Sequence, residues 1–146
     1  MSSYFNPVRI VKTDDWFREL NFSIDALKMS SPIIVTSKGN RKRLNLDKKF
    51  NSDSIYSKVS INPNFEDCNN ALKFCKKNNM FDGVIAIGGG SAMDLAKVVM
   101  AHLSTKKSDI HELIELKDKF PKPLPSIFLP TTHGTASEVT MWGTIW

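Results

Sequence analysis

Three glycines stand in a row at residues 88–90, with Ser91 next and Asp94 three positions further on, in the stretch GVIAIGGGSAMDLAK. Each glycine costs conformational entropy on folding, so a run of them marks a place where the backbone must be bare. Apolar residues precede the run and a helical pattern follows it. A strand that passes through glycines into a helix leaves free N–H groups at the helix start. The helix dipole adds partial positive charge there. Without Cβ atoms, an anion can approach such a backbone closely, which is the physics of phosphate binding at a strand-to-helix turn. Ser91 can cap the helix or donate to a phosphate oxygen. The spacing is neither G-x-G-x-x-G, because Met93 occupies the last glycine position, nor a P-loop, because Lys97 lies too far into the helix. A plain tight turn between buried elements competes with the phosphate reading.

A second stretch weakens the plain-turn alternative. Residues 130–138, PTTHGTASE, also follow an apolar strand and are rich in hydroxyls around Gly134. Such hydroxyls both donate and accept, which suits a ribose or phosphate rim. Two loops of this kind at the same ends of parallel strands make a crevice for a nucleotide. Asp94 then has two readings: a capping partner of Ser91 in S-x-x-D, or an acceptor for a ribose or nicotinamide hydrogen bond.

Loops so placed need parallel strands joined by helices. The β-branched run in SPIIVTSKG at 31–39 predicts a strand closed by Gly39. Residues 82–87, DGVIAI, read as a strand buried on both faces. SIFLP at 126–130 reads as another buried strand, IYSKVSI at 55–61 as an alternating one, and 140–146 as a last strand cut off mid-fold. DDWFREL starts an amphipathic helix or a turn, and helices are expected over the basic stretch NRKRLNLDKKF and over 65–78, 91–103 and 109–116. The 65–78 helix places Phe65, Cys68, Leu72 and Cys75 on one stripe, with Ala71 and Phe74 beside it. The alternation predicts an α/β fold with a parallel, Rossmann-like sheet flanked by helices.

Bulk properties narrow the classes. The 146 residues are 41% hydrophobic and 24% charged, ordinary values for a folded domain. No apolar run is long enough to span a bilayer. The N-terminus lacks the apolar core of a secretory signal, so a cytoplasmic protein is expected. A net charge of +5 and a pI near 9.3 suit an anionic ligand as well as mere solubility. The basic 38–49 segment lacks the interleaved aromatics of a single-strand groove, so nucleic acid is disfavoured. Cys68 and Cys75 lie about two helical turns apart, roughly 10 Å along an axis, too far for a disulfide, and read as reduced core thiols. His102, His111 and His133 show no metal-ligand spacing.

The motifs GGGSAMDLAK and PTTHGTASEVT together are similar to those of the iron-containing (group III) alcohol dehydrogenases. Weaker matches are IIVTSKG and INPN. The resemblance makes residues 1–146 an incomplete N-terminal NAD(P)-binding domain, without the helical C-terminal domain that carries the family's metal site. It implies that Gly88, Gly89, Gly90 and Ser91 surround the cofactor pyrophosphate. Asp94 would stand near the nicotinamide side. Thr131, Thr132 and Thr135 would form a rim on the adenosine and phosphate side, and Asn62 would lie near the adenine ribose. His133 and Ala136 depart from the family's usual small residue and glycine.

Ser37 stands where NAD-preferring members of the family carry an aspartate. The stretch from Ser37 through Lys38, Arg41, Lys42 and Arg43 has no acid, so a 2′-phosphate is favoured over the competing reading of a solvated helix face. NADP(H) is therefore expected over NAD(H), with Fe2+ or Zn2+ implied for the full-length protein only. The implied reaction interconverts a small alcohol with an aldehyde or ketone, and these 146 residues are not expected to complete it alone. Competing readings are a non-catalytic nucleotide- or nucleic-acid-binding module, and a glycerol dehydrogenase or dehydroquinate synthase-like fragment. An incomplete domain exposes apolar surface, so a homo-oligomer is a possible partner state.

Overall fold

Four short strands carry the architecture of the computed structural model, which describes residues 8–77, 80–116, 121–140 and 143–146. They are β1 (Pro32–Thr36), β2 (Ile55–Tyr56), β3 (Gly83–Gly88) and β4 (Ser126–Pro130). All pair in parallel, in the order β2-β1-β3-β4. The chain leaves β1 to one side to form β2, then returns to β1's other side to form β3. The order reverses between β1 and β3, and such a switch point opens a crevice at the carboxyl ends of the strands.

The helices are α1 (Trp16–Ala26), α2 (Lys38–Arg43), α3 (Phe65–Lys77), α4 (Gly90–Thr105) and α5 (Ile110–Glu115). Asp15 caps α1 by accepting the Arg18 N–H at 3.1 Å, and Asp109 caps α5 through the His111 N–H at 2.8 Å. Strand side chains alternate between faces, and the core divides accordingly. Ile33, Val35, Val84 and Ala86 pack against Cys68 and Leu72 of α3, Met93 and Val99 of α4, and Leu113 of α5. Ile34, Ile85 and Ile87 pack on the opposite face against Leu20 of α1, Leu46 and Ile55. The result is the expected α/β, Rossmann-like three-layer arrangement.

Several expected elements are shorter or placed differently. The strand expected over 55–61 pairs in parallel only at Ile55 and Tyr56, because its partner β1 ends one residue past the Val35–Tyr56 pair and turns into α2; beyond it a single antiparallel bridge joins Lys58 to Ser37. The basic helix stops at Arg43. Asn45 then turns left-handed at φ +50°, and a single 3-10 turn spans Leu46–Lys48. β4 is half-buried rather than buried, because it pairs with β3 alone at the margin of the sheet. Residues 143–146 form no strand: the Trp146 N–H donates to the Pro63 carbonyl at 3.0 Å and Ile145 packs on the core. Residues 141–142 of that expected strand, and residue 78 of the expected 65–78 helix, lie outside the described residues. Phe65 leaves the predicted stripe and is exposed, its ring edge-on to His111 with centroids 5.0 Å apart.

Candidate functional site

The carboxyl ends of β1, β3 and β4 lie side by side, and each feeds a loop the sequence singles out. After β3, the extended Gly89 is the N-cap residue of α4 and no side chain caps the helix. The first N–H groups of α4 therefore have no capping side chain, as an anion site requires. After β4, the Thr131 N–H donates to the Gly88 carbonyl at 2.8 Å, which lays the hydroxyl loop beside the glycine turn. The glycines make this approach possible. A Cβ on Gly89 would stand 2.8 Å from Thr132 Oγ1, one on Gly90 3.1 Å from Thr135 Cγ2, and one on Gly88 2.7 Å from Ala92 Cβ. The bare backbone thus serves the neighbouring loop and helix as well as any anion.

Ser91 does not cap α4. Its Oγ accepts the Asn62 N–H at 3.1 Å, tying the turn after β2 to the helix start. Asn62 is exposed and left-handed at φ +52°. Ser37 instead caps α2, accepting the Asn40 N–H at 3.2 Å. Thr36 Oγ1 and Asn40 Nδ2 both donate to the Ile87 carbonyl, at 2.7 and 3.3 Å, and so join α2 to the end of β3 beneath the glycines. Thr131, Thr132 and Thr135 are exposed at the rim. The eleven residues expected at a site, from Ser37 to Thr135, fall at or after the carboxyl ends of the four strands, with Lys38 opening α2.

Asp94 is no partner of Ser91. Its Oδ1 accepts from Ser137 Oγ at 3.0 Å and lies 3.7 Å from Lys97 Nζ. Lys97 is buried, with 8% of its side chain exposed, and its ammonium donates to Thr140 Oγ1 at 3.0 Å. Burial lowers the Lys97 pKa, against the attraction of Asp94 and Glu138. Sequence reading missed Lys97, Ser137, Thr140 and Asn40 as site residues. The signal for Lys97 was its place one helical turn beyond Asp94.

The exposed face of α2 is basic. Lys38, Arg41, Lys42, Asn45, Asp47 and Lys48 line a surface recess of about 310 Å³. The Arg41 guanidinium is engaged there. Nε reaches both Asp47 carboxylate oxygens at 3.1 and 3.0 Å, and Nη1 donates to Ser57 Oγ at 3.3 Å. Arg43 donates to Asn40 Oδ1. Among the described residues no group of three or more His, Cys, Asp and Glu is placed to hold a metal ion. No helix among them is long and apolar enough to cross a membrane.

Known proteins resemble this chain over most of its length. A family model described as iron-containing alcohol dehydrogenase matches residues 7–146. "Alcohol dehydrogenase 4" of Saccharomyces cerevisiae is 30% identical over 138 residues, covering 94% of this chain and 36% of that protein. The crystal structure of an iron-containing alcohol dehydrogenase superposes with a TM-score of 0.77 at 30% identity, covering 96% of this chain and 40% of the other. Sulfoacetaldehyde reductase from Bifidobacterium kashiwanohense, solved in complex with NAD+, gives a TM-score of 0.77 at 28% identity over 96% of this chain and 38% of its own. The chain thus spans little more than a third of the length of these relatives. Matched by the family model over nearly its whole length, and by these relatives in sequence and fold, the chain belongs to the iron-containing alcohol dehydrogenase family.

Proposed function

We propose that this chain is the nucleotide-binding portion of a metal-dependent, NAD(P)-linked dehydrogenase that interconverts a small alcohol with an aldehyde or ketone. The observation that carries the reading is the uncapped start of α4 lying beside Thr132 and Thr135. There, backbone N–H groups and hydroxyls together offer donors to a pyrophosphate. Gly88, Gly89, Gly90 and Ser91 line that turn, Thr131 ties it to the rim, and Asn62 holds the ribose side through Ser91. Asp94 stands one turn into α4 as an acceptor. When bound, the nicotinamide gives or takes a hydride. The chain's own residues bind and orient it.

The reading favours NADPH over NADH. A carboxylate at position 37 would repel a 2′-phosphate, whereas Ser37 uses its oxygen as a helix cap. Arg41 is paired with Asp47, so the exposed Lys38 and Lys42 are the cations that receive the phosphate in this reading. In this reading, as the family resemblance implies, residues 1–146 serve as the N-terminal nucleotide-binding domain of a protein whose metal is held by a helical domain. Buried reduced thiols support a cytoplasmic setting. The exposed Ile61 and Trp146 support association with a second copy.

A paired titration with NADPH and NADH, read by tryptophan fluorescence, tests this. Saturable binding that favours NADPH is expected, and Ser37→Asp should weaken NADPH by about tenfold while sparing NADH. Tighter NADH binding overturns the 2′-phosphate preference. Failure of both nucleotides to bind overturns the site.

A further inference from the structure

We infer that Lys97 is a positioning residue that fixes Asp94 and clamps the segment after the threonine loop onto α4. The geometry closes a ring across two stretches of chain. Lys97 Nζ donates to Thr140 Oγ1 at 3.0 Å and lies 3.7 Å from Asp94 Oδ1. Asp94 Oδ1 accepts from Ser137 Oγ at 3.0 Å, and Thr140 Oγ1 reaches the Ser137 carbonyl at 3.5 Å. Helix α4 supplies Asp94 and Lys97, and the turn containing Ser137–Val139 supplies the rest.

The site is built rather than incidental. The Lys97 and Asp94 side chains are 8% and 15% exposed, and Ser137 is buried. Taking an ammonium out of water is costly unless it is paired and hydrogen-bonded. A methionine would fill the same space without that cost, so the charge at Lys97 is present for what it holds. Glu138 adds a second attractive carboxylate. The chain passes over Asp94 once more at Gly143, where a Cβ would stand 3.4 Å from the Asp94 carbonyl.

The arrangement has a directional consequence. Both described contacts to the Asp94 carboxylate fall on Oδ1. No buried side-chain polar atom lacks a partner among the described residues. Oδ2 is therefore the oxygen left to a ligand donor, and Lys97 with Ser137 sets the rotamer that presents it. Because Ser137 follows directly on residues 131–136, the same clamp holds Thr132 and Thr135 over Gly89 and Gly90. The ligand-binding consequence rests on the nucleotide reading; the clamp itself does not.

The test compares Lys97→Met, Lys97→Arg, Asp94→Asn and the Met/Asn double variant in the 146-residue chain. NADPH affinity and the rate of proteolytic cleavage within residues 131–140 are measured for each. Lys97→Met should raise the NADPH Kd about tenfold, the worth of a charge-assisted hydrogen bond, and speed loop cleavage, with Lys97→Arg restoring much of both. The double variant should be no worse than Asp94→Asn alone, because the two residues act as one unit. If Lys97→Met fails to fold, Thr140→Val and Ser137→Ala remove the same links singly and should speed loop cleavage. Additive effects, or unchanged cleavage in Lys97→Met or in both single-link variants, overturn the clamp. If wild-type protein binds neither nucleotide, the proposed function fails, while the cleavage rates still decide the clamp.

Discussion

Gly89 and Gly39 show how differently two glycines can behave in one site. A Cβ on Gly89 would meet Thr132 Oγ1 at 2.8 Å, closer than real side chains come, while one on Gly39 meets only Ser37 Oγ at an ordinary 3.9 Å. Gly89→Ala should therefore push the threonine loop away from the start of α4. We expect a loss of about 1–3 kcal/mol of stability, as for other overpacked positions, and at least about a tenfold rise in NADPH Kd. Gly39→Ala sits in the first turn of α2 and should be neutral or stabilising by at most about 1 kcal/mol. Urea unfolding and nucleotide titration of the two variants side by side check the contrast. Equal behaviour of the two would mean that the glycine run is not there to seat the threonine loop. Ala136 belongs to the same scale: it holds a left-handed φ of +51° where the family resemblance implies glycine, an unfavourable conformation for a residue with a Cβ.

At the scale of elements, α4 is anchored at both ends. Its C-terminus turns left-handed at Lys106, and the buried His102 ring donates from Nδ1–H to the Lys107 carbonyl just beyond. Burial pushes the His102 pKa below its ordinary 6.5, and this outweighs the Lys107 hydrogen bond, with the Lys76 and Lys106 charges acting in the same direction as burial. In the unfolded chain the ring takes up its proton near pH 6.5, while in the folded chain it does so only at lower pH. The stabilisation is thus fully present above about pH 6.5 and is lost as pH falls toward the folded pKa. Urea midpoints between pH 7 and 5 should fall for the wild type and fall less steeply for His102→Gln. Identical slopes would show that this ring does not couple α4 to pH.

For the whole molecule, the two-faced sheet keeps its thiols out of reach. Cys68 and Cys75 lie in the core between α3 and the sheet. Burial pushes their pKa values up to about 11 and about 12, so neither supplies thiolate at neutral pH. Alkylation by a small thiol reagent at pH 7.5 should be slow in the folded protein and should rise with urea along the global unfolding curve. Fast alkylation without denaturant would mean that α3 opens independently of the core. The basic face of α2 acts at the same scale, but the surface Arg41–Asp47 pair neutralises part of its charge.

Much of this was legible in the chain itself. The β-branched run at 33–35 and the apolar run at 83–87 are near-continuous, as strands buried on both faces must be, and they became the two central strands. Of the stripe expected at Phe65, Cys68, Leu72 and Cys75, all but Phe65 are buried in α3, with Ala71 beside them. The glycine run and the hydroxyl-rich loop announced themselves by composition. The tertiary structure decided what periodicity cannot carry. An alternating pattern does not say how long its partner is, so the strand expected over 55–61 shrank to Ile55 and Tyr56 when β1 ran out. Nor does it say whether a strand lies at a margin, as β4 does. Hydrogen-bond partners distant in sequence were equally hidden. Ser91 and Asp94 share a helix and a capping spacing, yet they bond Asn62 and Ser137 instead. Local residue types determined which backbone would be bare and which segments would bury. Only the packing of loops 29 and 43 residues apart in sequence determined which polar atoms meet, because a side chain bonds the partner the fold brings nearest.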